Sequence, residues 1–249
     1  MDFDHQSSTH ADLWADIYDK VHRELSDPAH VDPIIDVLAE LAGAGPALEL
    51  GIGTGRIALP LVKRGIEVHG IDFSEGMIDK LRQKPGGAEI PVTLGDFSDL
   101  EVEEKYSLIF AVFNTFFALL TEESQARCFR NVARHLARGG VFLIEAFVPH
   151  PTRFSRRQNV SAESVETDRY LLSTERHDLE RQIIDSRLFI PGEEEKRSLP
   201  IKIRYAWPAD LDLMAGLAGM RIRQRWSNWA GSPFTDSSSY HISLYELRN

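Results

Sequence analysis

Three glycines at alternate positions follow a short apolar strand pattern near the start of the chain. Gly51, Gly53 and Gly55 come directly after the segment 47–50, and a helical pattern begins at once after them. Glycine lets a backbone turn sharply and lie close to a ligand where a Cβ would collide. Glu49 stands two residues before the first glycine, and a carboxylate there suits a positively charged ligand. The spacing E-x-G-x-G-x-G also differs from the G-x-G-x-x-G loop that binds a pyrophosphate.

A second acidic residue stands where the next strand pattern ends. Asp72 closes the alternating segment 65–71, about twenty residues beyond the glycine loop. An acid at this position can accept hydrogen bonds from both ribose hydroxyls of a bound nucleoside. Ser74 can cap the helix that follows, which leaves the Asp72 carboxylate for a ligand. The sequence therefore predicts a nucleoside site next to the glycine loop.

These residues and three further elements resemble the motifs of the class I S-adenosylmethionine-dependent methyltransferases. The further elements are the pair Asp96-Phe97, the strand pattern 109–115 and the glycine-started strand pattern 139–145. The resemblance covers about residues 45–147. A glycine loop alone is a weak signal, whereas five elements in the right order and at the right spacing are specific.

The resemblance implies that S-adenosylmethionine is the cofactor and that these motifs bind it. In the family the acid after the second strand binds the ribose, which assigns that role to Asp72, and the acid-aromatic pair contacts the adenine. The residues expected to bind the cofactor are Tyr18, Glu49, Gly51, Gly53, Thr54, Gly55, Arg56, Asp72, Phe73, Met77, Asp96, Phe97, Phe113 and Asn114. We expect no metal, because the histidines show no metal-ligand spacing.

Three residues are expected to act on the acceptor. Tyr18 lies on an amphipathic helical pattern. In similar small-molecule enzymes the tyrosine of this N-terminal helix approaches the transferred methyl group. Tyr18 could instead be a packing anchor. Asn114 follows the fourth strand, where the family places residues that orient the nucleophile. His150 is the expected base if one is used, with His22 and Glu145 as alternatives. An amine can lose its proton to solvent before it binds, whereas a hydroxyl needs a base poised near neutral pH.

Composition restricts the classes of partner. The net charge is −10, from 28 Lys and Arg against 38 Asp and Glu, and an acidic chain argues against a nucleic-acid substrate. No apolar run is long enough to cross a membrane, and the acidic N-terminus does not resemble a signal peptide. The single cysteine, Cys128, favours a reducing, cytoplasmic location. We therefore expect a small-molecule acceptor, no nucleic-acid or membrane partner, and a monomer or homodimer.

The order of strand and helix patterns predicts an α/β fold. We expect a Rossmann-like seven-stranded, mostly parallel sheet with an antiparallel last strand, and an antiparallel β insertion after strand five. A helix is expected over 33–41 with Asp32 as its cap, and Arg221, Arg223 and Arg225 should share the solvent face of a late strand. The expected units are a flexible N-terminus over 1–10, cap helices over 11–44, the cofactor-binding core over 45–151 and 208–249, and a lid over 152–207.

A tyrosine-bearing helix before the glycine loop and a β insertion after strand five look like small-molecule methyltransferases. The similar groups are amino-sugar N-methyltransferases of antibiotic pathways and glycine N-methyltransferase. This resemblance implies in-line methyl transfer to a small molecule, with nitrogen slightly favoured over oxygen as the acceptor. Two alternatives stay open: another reaction on the same cofactor, and a binding or assembly module without catalysis. The lid could also form a subunit interface, because exposed strand edges can pair between chains.

Overall fold

The computed structural model describes residues 15, 18–21, 27–100, 104–149, 158–166, 169–189 and 198–248. A seven-stranded sheet forms the centre of this described part. Its strands are β1 Ala47–Leu50, β2 Val68–Asp72, β3 Val92–Leu94, β4 Tyr106–Ala111, β5 Leu136–Phe147, β10 Met220–Trp226 and β11 Tyr240–Leu247. They lie in the order β10-β11-β5-β4-β1-β2-β3.

The pairing directions confirm the predicted fold class. Strands β1 to β5 pair in parallel, and β11 runs antiparallel to both of its neighbours, β5 and β10. The apolar strand segments are buried on both faces, as in parallel sheets that carry helices on each side. The carboxyl ends of β1, β2, β4 and β5 therefore meet at one edge of the sheet, where ligands of such folds bind.

Two layers of helices cover the sheet. The helices are α1 Tyr18–Val21, α2 Pro28–Ala42, α3 Ala58–Lys63, α4 Glu75–Arg82, α5 Glu122–His135 and α6 Pro208–Leu217. On one face, Leu108 and Phe110 of β4 pack with α2 and α3. On the other face, Ile109 of β4 and Phe142 of β5 pack with Phe129 of α5. Adjacent residues of a strand point to opposite faces, so one apolar strand supplies both layers. Among the described residues, no helix combines the length and apolar character that a membrane span requires.

The helix expected over 33–41 begins five residues earlier than predicted, at Pro28. Asp27, not Asp32, is its cap: the Asp27 side chain accepts a hydrogen bond from the Ala29 N–H at 2.8 Å, and a proline follows it at the first position. Pro33 lies inside the helix, where it cannot donate a hydrogen bond. Val31, in the added turn, is buried against the core, which favours the longer helix.

The insertion after strand five forms a second sheet of four antiparallel strands. These are β6 Gln158–Glu166, β7 Arg169–Asp178, β8 Ile183–Phe189 and β9 Ser198–Arg204, in that order across the sheet. The antiparallel insertion predicted after strand five thus contains four strands. Ile184 and Tyr205 belong to the same buried cluster as the core helices α5 and α6. The second sheet is therefore packed on the core and shares its apolar interior.

Candidate active site

A cleft of about 610 Å³ opens at the carboxyl ends of the central strands. It lies between the sheet edge, the short helix α1 and strand β9. Ten of the residues predicted to bind the cofactor line it: Tyr18, Gly51, Gly53, Arg56, Asp72, Phe73, Met77, Phe97, Phe113 and Asn114. Glu49 and Thr54 line a smaller adjoining cavity of about 30 Å³. The structure thus brings together residues that are far apart in the sequence.

The three glycines of the loop have different surroundings, although each has a positive φ of 55° to 81°. A Cβ at Gly51 would overlap the side chain of Thr115, and one at Gly55 would overlap Leu81 of α4. A Cβ at Gly53 would meet nothing within 4 Å, because this residue faces the open cleft. Gly51 and Gly55 therefore allow close packing of the loop, and Gly53 is the glycine that leaves room for a ligand.

Asp72 joins the end of β2 to the glycine loop. Its Oδ2 accepts a hydrogen bond from the Gly53 N–H at 2.7 Å, and its Oδ1 accepts one from the Ser74 N–H at 2.9 Å. Ser74 is the cap of α4, as predicted, with its Oγ accepting from the Met77 N–H at 3.2 Å. Sequence reasoning assigned Asp72 a ligand role and missed this second one. The carboxylate holds the loop and the helix start in place.

This double role sets the expected effect of Asp72→Asn. An amide keeps one acceptor oxygen but turns a donor toward one backbone N–H, so we expect the free energy of unfolding to fall by about 1–3 kcal/mol. Binding of S-adenosylhomocysteine should weaken at least about tenfold, because the charge-assisted hydrogen bond predicted between Asp72 and the ribose would be lost. Calorimetry and thermal unfolding measure the two effects, with Asp79→Asn on the exposed side of α4 as control. Unchanged affinity with reduced stability would restrict Asp72 to holding the loop.

The helix α1 is held on the glycine loop by Asp19. Thr54 Oγ1 donates to Asp19 Oδ1 at 2.6 Å, and Lys84 Nζ lies 2.7 Å from Asp19 Oδ2 and 2.8 Å from the Thr54 carbonyl oxygen. Burial acts to raise the pKa of Asp19, but the hydrogen bonds from Lys84 and Thr54 outweigh it, and the pKa is lowered. This contact places the neighbouring Tyr18 in the cleft wall. Sequence reasoning missed both Asp19 and Lys84.

A guanidinium lies between two aromatic rings in the cleft. The Arg56 Cζ is 3.7 Å from the centre of the Phe113 ring and 5.8 Å from that of the Tyr18 ring, and Arg56 Nη2 donates to the Tyr18 hydroxyl at 3.4 Å. Burial raises the pKa of Tyr18, so its phenol is protonated at neutral pH. Arg56 Nη1 is buried and has no hydrogen-bond partner among the described residues. Such a donor fits an acceptor on a ligand, such as a carboxylate.

Glu49 presents the complementary feature. Its carboxylate is buried, and Oε2 has no hydrogen-bond partner in the described part of the chain. Burial raises the pKa of Glu49 well above its usual value, although the charge of Arg56 acts in the opposite direction. An unpartnered carboxylate oxygen near an unpartnered guanidinium nitrogen fits a ligand that carries an ammonium and a carboxylate together.

The ends of β4 and β5 are joined by hydrogen bonds at the cleft. Phe113 and Asn114 have φ values of 56° and 63°, a left-handed conformation that costs about 1–3 kcal/mol per non-glycine residue. Asn114 Oδ1 accepts from the Phe147 N–H at 2.8 Å, and the Phe113 N–H donates to the Glu145 carboxylate. These bonds hold the strained turn in the cleft wall. The catalytic role predicted for Asn114 stays a prediction.

Other predicted residues lie outside the cleft wall. Gly55 packs against α4, and Asp96 Oδ1 accepts a hydrogen bond from the Ser98 N–H at 2.7 Å, while Phe97 beside it lines the cleft. The adenine contact of Asp96 stays a prediction. His150 and the alternative base His22 lie outside the described residues. Glu145, which the sequence offered as an alternative base, lines the cleft, and the lining residues outside the predicted site are Thr115, Ala118, Pro200, Ile201, Ile203 and Tyr240. Glu145 had been considered only as a base, and the apolar alternation of β9 was the one signal for Ile201 and Ile203.

Known proteins share this architecture. Residues 47–140 match a family described as "Methyltransferase domain". The CcbJ methyltransferase from Streptomyces caelestis has a solved structure and is 36% identical to this chain in sequence. The two structures match with a TM-score of 0.90, and the match covers 97% of this chain and 98% of that chain. Cypemycin N-terminal methyltransferase from a Streptomyces species is 28% identical over 92% of this chain and 94% of its own length. A dTDP-4-amino-2,3,4,6-tetradeoxy-D-glucose N,N-dimethyltransferase from Saccharopolyspora spinosa is 31% identical over 57% of this chain and 58% of its length.

The chain therefore belongs to the S-adenosylmethionine-dependent methyltransferases, and S-adenosylmethionine is its cofactor. The predicted family, fold class and enzyme class are confirmed. The site fits the cofactor in three places. Gly53 leaves open space beside the loop, Asp72 stands at the end of β2, and the unpartnered atoms of Glu49 and Arg56 suit the amino-acid end of the cofactor.

Proposed function

We propose that the chain transfers the methyl group of S-adenosylmethionine to an amine nitrogen of a small molecule. The observation that carries this proposal is the cleft itself, which is lined by the cofactor motifs on one side and by Pro200, Ile201 and Ile203 of β9 on the other. Its volume of about 610 Å³ is in the range of small-molecule sites. The names of two relatives describe N-methylation, of a peptide N-terminus and of an amino sugar.

The residues of the chain contribute mainly by binding and alignment. The bound cofactor supplies an electrophilic methyl group on a sulfonium. Asp72 accepts hydrogen bonds from the ribose, Glu49 and Arg56 bind the amino-acid end, and Tyr18 and Asn114 orient the acceptor. Alignment of this kind supplies up to about ten kcal/mol of the barrier reduction. The strand β9 excludes water from the reacting atoms.

The lining residues favour an amine over a hydroxyl as the acceptor. Among the described residues, the cleft wall contains no histidine or cysteine that could deprotonate a hydroxyl. Its titratable side chains include the carboxylates Asp72 and Glu145, and an anionic wall attracts a protonated amine.

A single buried cysteine, Cys128, supports a cytoplasmic location. The oligomeric state, monomer or homodimer, stays a prediction.

Incubation with matched acceptors tests this function. Primary and secondary amines on a hexose scaffold and short peptides with a free N-terminus are compared with their hydroxyl analogues, and methylated products are detected by mass spectrometry. We expect N-methylated products and at least about tenfold slower reaction of the hydroxyl analogues, because a neutral hydroxyl is much less acidic than an ammonium and is not attracted to the carboxylates of the wall. Methylation of the hydroxyl compounds alone would contradict the proposal. Binding of S-adenosylhomocysteine without any methylated product would favour the two alternatives, another reaction or a module without catalysis.

A further inference from the structure

One acidic side chain faces the cleft from the end of β5. Glu145 lines the cleft with an exposed fraction of 8%. One of its oxygens, Oε2, accepts a hydrogen bond from the Phe113 N–H. No other described residue donates a hydrogen bond to this carboxylate or forms an ion pair with it. A buried carboxylate that keeps acceptor capacity toward a cleft is suited to a donor on a ligand.

The surroundings of Glu145 contain few charges. On its own sheet it lies opposite Ile242 of β11, and the end of β4 contributes the uncharged Phe113 and Asn114. The charged and titratable groups that face the same cleft or pack beside it are Arg56 of the glycine loop, Tyr18 of α1, Glu49 of β1, Asp72 of β2, and Tyr240 and His241 of β11. Arg56 is the one cation in this set at neutral pH, and its guanidinium is stacked on the Phe113 ring. The pKa of His241 is lowered to about 3, first by burial and then by Arg225, so it is neutral.

Burial also changes the basicity of this side chain. It raises the pKa of Glu145, and the Phe113 N–H and the charge of Arg56 only partly oppose it. A carboxylate with a raised pKa accepts a proton more readily than an exposed glutamate does. A general base is most effective when its pKa lies near the working pH.

We propose that Glu145 is the residue that binds the protonated amine of the acceptor and takes up its proton, so that the site selects cationic amines. This proposal rests on the proposed function. The ammonium N–H donates to Glu145, and the proton passes to the carboxylate. The nitrogen lone pair then forms the N–C bond with the methyl carbon while the C–S bond breaks, and the sulfur keeps the electron pair. The Glu145 carboxyl releases the proton to water when the methylated ammonium product leaves.

Two cofactor analogues test this role without knowledge of the acceptor. Sinefungin carries a protonated amine where the cofactor carries its methyl group, and S-adenosylhomocysteine has a neutral thioether. Calorimetry of both compounds is carried out on the unaltered protein, on Glu145→Gln and on Glu246→Gln. The amide keeps an oxygen that accepts from the Phe113 N–H. Glu246 lies on the same sheet, where it pairs with Arg221 at 2.6 Å, and is the matched control.

We expect the unaltered protein and Glu246→Gln to bind sinefungin at least about tenfold more tightly than S-adenosylhomocysteine. Glu145→Gln should lose most of this preference while its affinity for S-adenosylhomocysteine changes by less than about threefold. The preference of the unaltered protein should also decline as the pH falls through the raised pKa of Glu145, because only the ionised carboxylate attracts the ammonium. This pH series tests the same point even if Glu145→Gln does not fold.

The outcomes separate the two proposals. If S-adenosylhomocysteine and sinefungin bind but the unaltered protein shows no preference, or Glu145→Gln keeps the preference, the role of Glu145 is wrong and the proposed function stands. A preference that does not depend on pH in the acidic range contradicts the role in the same way. If neither compound binds to the unaltered protein, the proposed function itself fails.

Discussion

Gly53→Val is expected to abolish the binding of S-adenosylmethionine. Gly53 has a φ of +55°, which a β-branched residue rarely adopts, and its Cβ position opens into the cleft. A valine would therefore place two methyl groups where the cofactor lies, and the Gly53 N–H would be displaced from Asp72 Oδ2. Calorimetry should show an affinity at least about a thousandfold weaker, a loss of roughly 4 kcal/mol.

Gly65→Val is the matched control for this substitution. Gly65 has a φ of +83° and a Cβ position without neighbours within 4 Å, but it follows α3 and does not line the cleft. The backbone strain is therefore similar, and thermal unfolding should show comparable destabilisation of both variants. Only Gly53→Val should lose the cofactor. Equal affinities of the two variants would show that the glycine loop does not contact it.

The fold was largely predictable because its signals are local and repeated. Apolar strands alternate with helices, and the first two strands are marked by Gly51 directly after β1 and by Asp72 at the end of β2. Ser74 caps its helix as predicted. The carboxyl ends of parallel strands meet at one edge by geometry, so the motifs come together without any knowledge of side-chain contacts.

The errors arose where one local signal competed with another or with packing. The sequence offers two Asp-Pro pairs as possible starts of α2, and the helix begins at the first of them, with Asp27 as its cap, because the longer helix buries Val31. A register shift between Ile222 and Gln224 changes the alternation of β10. Arg225 consequently points inward and donates to Asp212 at 2.6 Å instead of sharing the solvent face.

The contacts that hold the site together were not predictable from the sequence. The bonds from Asp19 to Thr54 and Lys84 join residues that are distant along the chain, and no motif marks them. The place of Glu145 in the cleft wall was also hidden in the sequence. A single glutamate in an apolar strand becomes informative only when a cleft is found beside it. Sequence motifs thus located the wall of the cleft that we assign to the cofactor, and the opposite wall became visible only from the packing of β9 on the core.

A positive charge on β9 is expected to slow methyl transfer about a hundredfold. Ile201 lines the cleft with an exposed fraction of 36%. In Ile201→Arg the guanidinium would lie near the acceptor amine. Two like charges about 6 Å apart at an effective dielectric constant of 20 repel by roughly 3 kcal/mol, which corresponds to about a hundredfold in rate. The affinity for S-adenosylhomocysteine should stay within about an order of magnitude, because the cofactor motifs are unchanged.

The control for this substitution is Ile222→Arg on β10. Ile222 has a similar exposed fraction, 38%, but its side chain does not line the cleft. Its turnover should equal that of the unaltered protein, because a charge there is solvated and screened. Turnover with an N-methylated amine product and sedimentation are measured on all three proteins. If Ile201→Arg keeps full turnover but changes a dimer into a monomer, the inserted sheet serves assembly. The hypothesis that it covers the acceptor would then be wrong, because a wall of the acceptor site cannot take a bulky cation without slowing the transfer.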